Sequence, residues 1–120
     1  VADFLARRFA RGWKVPQVTV SSFDHEKLRR LRRRLPAARL GALCGAPLPP
    51  DAAFASLLGA ASVHPPVAGL TPAFVDDAHA RGLQVCVWTV NDPADIARMR
   101  AWGVDAVFTD YPERALGPKP

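Results

Sequence analysis

The sequence predicts an α/β protein built on about five parallel strands with intervening helices. Three observations carry this. Short β-compatible runs alternate with helical patterns along the whole chain, the connections are too long for hairpins, and polar and aromatic residues gather at the C-terminal ends of the runs. Such a sheet is either an open doubly wound one or an arc of a (β/α)8 barrel. Neither a GxGxxG loop nor a phosphate-binding GxxxxGK[ST] loop follows any strand, which favours the barrel. Closing one takes about 250 residues, so five strands make only an arc.

The elements follow in order. Residues 1–12 read as a helix with Phe4, Leu5 and Phe9 toward a core, and residues 18–22 as the first strand. Asp24 caps the next helix, Phe23 is placed to staple onto Leu28, and Pro36 ends it. Residues 39–44 form the second strand, residues 49–59 a shorter helix before Gly59, and residues 61–64 the third strand. Thr71 then caps, Pro72 opens a helix, Leu70 and Val75 make a staple, and Gly82 closes it. Residues 83–89 are the fourth strand. The same grammar recurs with Asp92, Pro93 and Gly103 around Ile96 and Met99, before the fifth strand at residues 105–109.

At 120 residues and 49% hydrophobic, the chain is one domain or part of one, with a sizeable core. Its apolar runs are broken by Gly and Pro well short of the roughly 20 residues of a membrane span. No signal-like leader is present and Val1 opens the chain, so upstream sequence is expected. Much of the net charge of +5 comes from "KLRRLRRRLP". Arg29, Arg30, Arg32, Arg33 and Arg34 there surround Leu28, Leu31 and Leu35 at helical spacing. That segment is either a patch for nucleic acid or anionic membrane, or the solvated outer face of an amphipathic helix. Without interleaved aromatics, no nucleic-acid partner is expected. Cys44 and Cys86 sit in apolar runs with no CxxC or Cys/His spacing, which predicts buried free thiols, no zinc site, and a reducing, cytoplasmic setting.

Function in either architecture belongs at the C-terminal strand ends. Ser21, Ser22 and Phe23, then His64, then Trp88, Thr89 and Asn91, then Thr109, Asp110 and Tyr111 occupy those ends. Each has a plainer reading. The serines satisfy strand-end backbone groups, His64 before two prolines is an ordinary hydrogen-bonded histidine, Trp88 is core, and Asp110 caps or pairs with an arginine. His25 and His79 read as ordinary helix residues. Alternation puts Gln84, Cys86 and Trp88 on one strand face, toward a barrel axis, and Val85 and Val87 on the other, toward helices.

Three segments in order, Ser22-Phe23, "GLQVCVWTVND" at 82–92 and "GVDAVFTDYP" at 103–112, resemble the C-terminal portion of the glycerophosphodiester phosphodiesterase family. The likeness spans nearly the whole chain. It implies a TIM-type barrel of which residues 1–120 supply the last five strands. It also implies an enzyme that hydrolyses glycerophosphodiesters to glycerol 3-phosphate and an alcohol, with a divalent metal, Mg or Ca, held by carboxylates. The family's His-Arg-Gly motif, second histidine and metal-binding acids lie on the first three strands, and no "HRG" occurs here. The resemblance therefore implies no catalytic residue and no metal ligand in this chain. It implies a substrate-pocket role for Phe23 and Trp88 as apolar walls and for Ser22, Thr89 and Asn91 at the rim, with His64 and Asp110 as further mouth residues. The expected partner is the missing N-terminal part, or a second copy, since an open arc leaves two edges and an interior face uncovered. The alternative is a non-catalytic fragment or ligand-binding module that keeps the pocket aromatics.

Overall fold

The computed structural model describes residues 1–116. The chain runs α1 (Ala2–Ala10), a 3₁₀ turn (Val15–Gln17), β1 (Thr19–Ser22), α2 (His25–Arg34), β2 (Arg39–Leu43) and α3 (Ala53–Leu57). It continues through β3 (Ser62–His64), α4 (Pro72–Ala80), β4 (Gln84–Val87), α5 (Pro93–Ala101), β5 (Ala106–Val107) and α6 (Pro112–Ala115). The expected strands and helices all form, and α6, which Pro112 opens, is an addition the pattern did not suggest.

All strands are parallel, in the spatial order β1-β2-β3-β4-β5. A sequential order decides between the two candidate architectures. Right-handed crossovers that always advance in one direction place every helix on the same side, whereas a doubly wound sheet must reverse its order. The sheet is a barrel arc.

Register then fixes what each side holds. Ser22, Ala42, Val63 and Val85 stand abreast on the helix side, and Ser21, Gly41, Ser62 and Gln84 on the other. Leu40, Ala42, Val63, Val85 and Val87 are fully buried under Leu28, Phe74, Val75 and Met99. Each fully buried leucine or valine among them contributes about 1.5–3 kcal/mol. Cys86 and Trp88 lie on the opposite, interior side, only partly covered, as the alternation predicts.

Local chemistry places the helix ends. Asp24 Oδ1 accepts from the Lys27 amide at 3.2 Å, Thr71 Oγ1 from Phe74 at 3.2 Å, and Asp92 Oδ1 from Ala94 at 2.8 Å. Gly82 adopts φ +77°, which lets its amide reach the His79 carbonyl at 2.9 Å while Leu83 reaches Ala78 at 3.0 Å. Gly103 does the same with Arg100 and Met99.

Two packing expectations are corrected. In α1 only Leu5 is buried, and Phe4 is 45% exposed, because α1 precedes the edge strand β1 and has no further strand to pack over. Phe23 does not staple onto the core; it is 60% exposed and meets Trp88 edge-on at 5.9 Å between ring centroids. Cys44 and Cys86 are both free, and burial pushes the Cys44 thiol up to about 11.

A polar tie joins α3 to α4. Asp77 Oδ2 accepts from Arg81 Nε at 2.9 Å and from the Ala52 amide at 2.9 Å, and Arg81 also approaches Asp51 at 3.7 Å. The Arg81 hydrogen bond, then the Ala52 amide, hold the Asp77 carboxyl below its usual 3.8. A depressed carboxyl stabilises the fold above its unfolded value, and that contribution disappears as pH falls from about 3.8 through the lower folded value. Urea midpoints at neutral pH and across this acid window should show the wild type losing more stability than Asp77→Asn; equal losses would remove Asp77 from the acid response.

Candidate functional site

The C-terminal ends of the strands open onto a concavity of about 400 Å³ lined by Ser21, Phe23, Leu43, His64, Trp88, Thr89 and Phe108. The interior row of each strand supplies its walls, since Ser21, Leu43, His64 and Phe108 all belong to it. A second hollow of about 480 Å³ lies between the loops after β2 and β3, lined by Pro47, Leu48, Pro50 and Phe74 among others. None of its lining side chains is titratable. The chemistry therefore concentrates in the first.

His64 forms the floor. It is 5% exposed, and its Nε2 shares a hydrogen bond of 2.8 Å with the Ser62 hydroxyl two residues earlier on the same face. The ring fits because residue 41 is glycine: a Cβ there would lie 2.7 Å from both Cε1 and Nε2 of His64. Burial pushes the His64 pKa below its usual 6.5, so the imidazole is neutral at physiological pH. Its Nδ1 is buried and has no hydrogen-bond partner among the described residues.

Aromatic rings wall the concavity. Trp88 Nε1 donates to the His64 carbonyl at 2.8 Å, which fixes the indole across β3, and Phe23 closes edge-on from the other side. Phe108, 50% exposed, lies 5.7 Å from the His64 ring. Trp88 is thus both hydrogen-bonded scaffold and pocket wall.

Asn91 organises the rim. Its Oδ1 accepts from Thr109 Oγ1 at 3.0 Å and from the Asp110 amide at 2.9 Å, and its Nδ2 donates to Asp110 Oδ2 at 2.9 Å. Arg114 Nη1 adds a hydrogen bond to the Asn91 carbonyl at 2.9 Å. One amide therefore locks the loop after β4 onto the loop after β5.

Of the residues singled out by sequence, Phe23, His64, Trp88 and Thr89 come together in the concavity. Ser22 stands on the helix side, where its Oγ accepts from the Asp24 amide at 3.0 Å, and its neighbour Ser21 lines the hollow instead. Asn91 and Asp110 pair with each other beside the mouth. Sequence reasoning left out Leu43 and Phe108 as wall residues. Carrying the Cys86–Trp88 parity across to β2 and β5 would have found both. His25 and His79 also do more than fill helices: His25 Nε2 bonds the Leu43 carbonyl and its ring stacks on Phe54, while His79 Nε2 bonds Asp105 Oδ2.

Among the described residues no three His, Cys, Asp or Glu side chains form a group able to hold a metal ion. Asp110 is engaged with the Asn91 amide. The described side chains do not by themselves fit the divalent metal that the resemblance implies.

The sequence model of the Glycerophosphoryl diester phosphodiesterase family matches residues 1–114. A glycerophosphodiester phosphodiesterase of Caldanaerobacter subterraneus subsp. tengcongensis is 33% identical over 100 residues, covering 83% of this chain and 41% of its own length. The crystal structure of a glycerophosphodiester phosphodiesterase from Parabacteroides distasonis superposes with a TM-score of 0.81 at 25% identity, over 96% of this chain and 48% of that one. An Oleispira antarctica phosphodiesterase, solved in complex with the product sn-glycerol-3-phosphate, gives 0.73 at 26% identity over 82% of this chain and 40% of that one. The chain thus spans about two fifths to one half of these relatives.

The Gly41–His64 contact is directly testable. Gly41→Ala should cost about 1–3 kcal/mol by overpacking, and clearly less in a His64→Ala background where the ring is gone. Chemical denaturation of the four proteins of that cycle measures it; identical costs in both backgrounds would mean that the added methyl meets something other than the imidazole.

Proposed function

Because the chain belongs to the glycerophosphoryl diester phosphodiesterase family, we propose that it is the C-terminal part of a phosphoric diester hydrolase, supplying substrate-pocket walls but not the catalytic centre. The observation that carries this is the concavity at the strand ends, where aromatic walls surround a neutral, buried histidine. Phe23, Trp88 and Phe108 offer apolar faces to the alcohol or glycerol portion of a diester and exclude water from it. Ser21 and Thr89 line the hollow in place of the expected Ser22, and Asn91 and Asp110 shape the rim, with Asn91 holding its two loops in place.

The reaction asks for more than these residues hold. Cleaving a phosphodiester requires a proton for the leaving alkoxide, a base or nucleophile, and a cation against the phosphoryl charge. His64 shares its one hydrogen bond with a serine and lies beneath the hollow, a setting suited to orienting a ligand. The divalent metal and the acid–base pair belong on this reading to the preceding strands, which are the expected partner and cover the open interior face. Two free thiols fit a reducing, cytoplasmic setting.

The test is a chimera that places residues 1–120 behind the N-terminal half of the Caldanaerobacter relative. The pure chain should show no metal-dependent release of sn-glycerol-3-phosphate from glycerophosphocholine, whereas the chimera should turn over. In the chimera, Trp88→Ala should raise KM about tenfold, roughly 1.4 kcal/mol, with metal affinity unchanged. Turnover by the pure chain would overturn the division of labour. A folded chimera that binds the diester without cleaving it would favour the binding-module reading.

A further inference from the structure

The interior row of the sheet carries a single residue that is charged at neutral pH. Arg39 opens β2 at the end of the strands opposite the concavity, in the row that holds Gly41 and Leu43. Its guanidinium turns up the row rather than out through the barrel floor. It crosses β3, and its Nη2 donates at 3.3 Å to Oε1 of Gln84, which stands level with Ser62 and Gly41. Its Nε is buried and has no hydrogen-bond partner among the described residues. Burial and then Asp105 push the Cys86 thiol up while Arg39 pulls it back, so the positive charge is felt on this face. Gln84 is neutral, and no Asp or Glu occupies the interior row of any of the five strands. Asp105 stands on the helix-side row, where its Oδ2 takes the Val85 amide at 2.7 Å and His79 Nε2 at 2.8 Å.

On the reading that preceding strands close the barrel over this face, Arg39 passes from half-buried into a packed interior, because a (β/α)8 barrel is filled by layers of side chains. A guanidinium keeps its charge in any protein setting, and burying one without a counter-ion is strongly unfavourable. Gln84 meets one of its donors and leaves the rest of the planar fork open. We propose, resting on that reading, that the strands completing this barrel present a carboxylate to Arg39 in the lower interior layer, and that this charge pair selects them as the partner. A second copy of the chain does not meet the requirement. It offers no acid on its interior row, it sets one Arg39 against another in the same layer, and it brings five strands where an eight-stranded barrel needs only three more. A backbone carbonyl serves less well, since strand carbonyls are spent on the parallel ladder and carry no net charge. Arg39 lies at the far end of the strands from the concavity, so the pair joins the two parts of the barrel without entering the chemistry.

The chimera of residues 1–120 behind the N-terminal half of the Caldanaerobacter relative tests this through thiol protection and stability, independently of turnover. Cys86, partly exposed on the interior row, should react with a thiol reagent in the pure chain at every protein concentration and be protected in the chimera. In urea denaturation of the chimera at pH 7, Arg39→Met should lower the folding equilibrium constant about a hundredfold or more, or abolish folding outright, as expected when one partner of a buried ion pair is removed. Arg39→Lys, which keeps the charge, should fold and lose clearly less. The gap between wild type and Arg39→Met should narrow as pH falls below about 4, where the carboxylate takes up a proton and the pair is lost from both proteins. In the pure chain, where the guanidinium reaches water, Arg39→Met should change little. A closed chimera indifferent to Arg39→Met, an equal loss with Arg39→Lys, or a gap that persists in acid would overturn the carboxylate and leave the barrel reading standing. Cys86 still reactive in a folded chimera would overturn that reading and the proposal with it. Protection of Cys86 in the pure chain that grows with concentration would place a second copy on this face and overturn the proposal as well.

Discussion

Every strand of this sheet must send one row of side chains toward the helices and the next toward the barrel interior, and the sequential strand order makes all helices cover the same row. Everything else answers to that constraint. Leu40, Ala42, Val63, Val85 and Val87 are apolar because they occupy the covered row, where exposure is zero. Gly41, Ser62, His64, Cys86 and Trp88 occupy the other, where function is free to set identity. A slip of one residue in any strand would exchange the two rows, burying serine and histidine under the helices and turning valine outward.

Within the interior row the residues depend on one another across strands. His64 can lie flat against the sheet only because β2 carries no side chain at residue 41, and its Nε2 is satisfied only because β3 places Ser62 two residues earlier. Its carbonyl in turn anchors the Trp88 indole. Three strands thus define one pocket floor. The rim is held by a different device, the Asn91 amide, which spends its donor and its acceptor on the loop after β5. Such a rim is ordered before any ligand arrives, which lowers the entropy lost on binding.

Much of this was legible in the sequence where the deciding interactions are local. Thr71-Pro72 with Gly82, and Asp92-Pro93 with Gly103, announce two helices because caps and C-terminal glycines act within a few residues. The interior placement of Trp88 follows from counting by two along β4. Phe23 misled because a staple on Leu28 and an edge-on contact with Trp88 are both within its reach, and only the second involves a residue 65 positions away. Ser21 and Ser22 are adjacent and chemically identical, so nothing in the sequence says which faces the hollow; the pairing of Ser21 with Gly41 does. The roles of His25 and His79 and the hydrogen bond from the Ala52 amide to Asp77 were invisible for the same reason, since each joins groups on different elements.

By itself, then, the sequence determined the α/β alternation, the helix boundaries, the two faces of each strand and membership of a hydrolase family, because these rest on short-range patterns and on ordered motifs. The tertiary structure decided the rest. It chose the barrel arc through strand order, assembled Phe23, His64, Trp88 and Phe108 around one hollow, and brought Arg39 of β2 across β3 to Gln84 of β4. Those outcomes depend on which distant residues are brought within a few ångströms. Only register and crossover geometry, acting over the whole sheet, specify that.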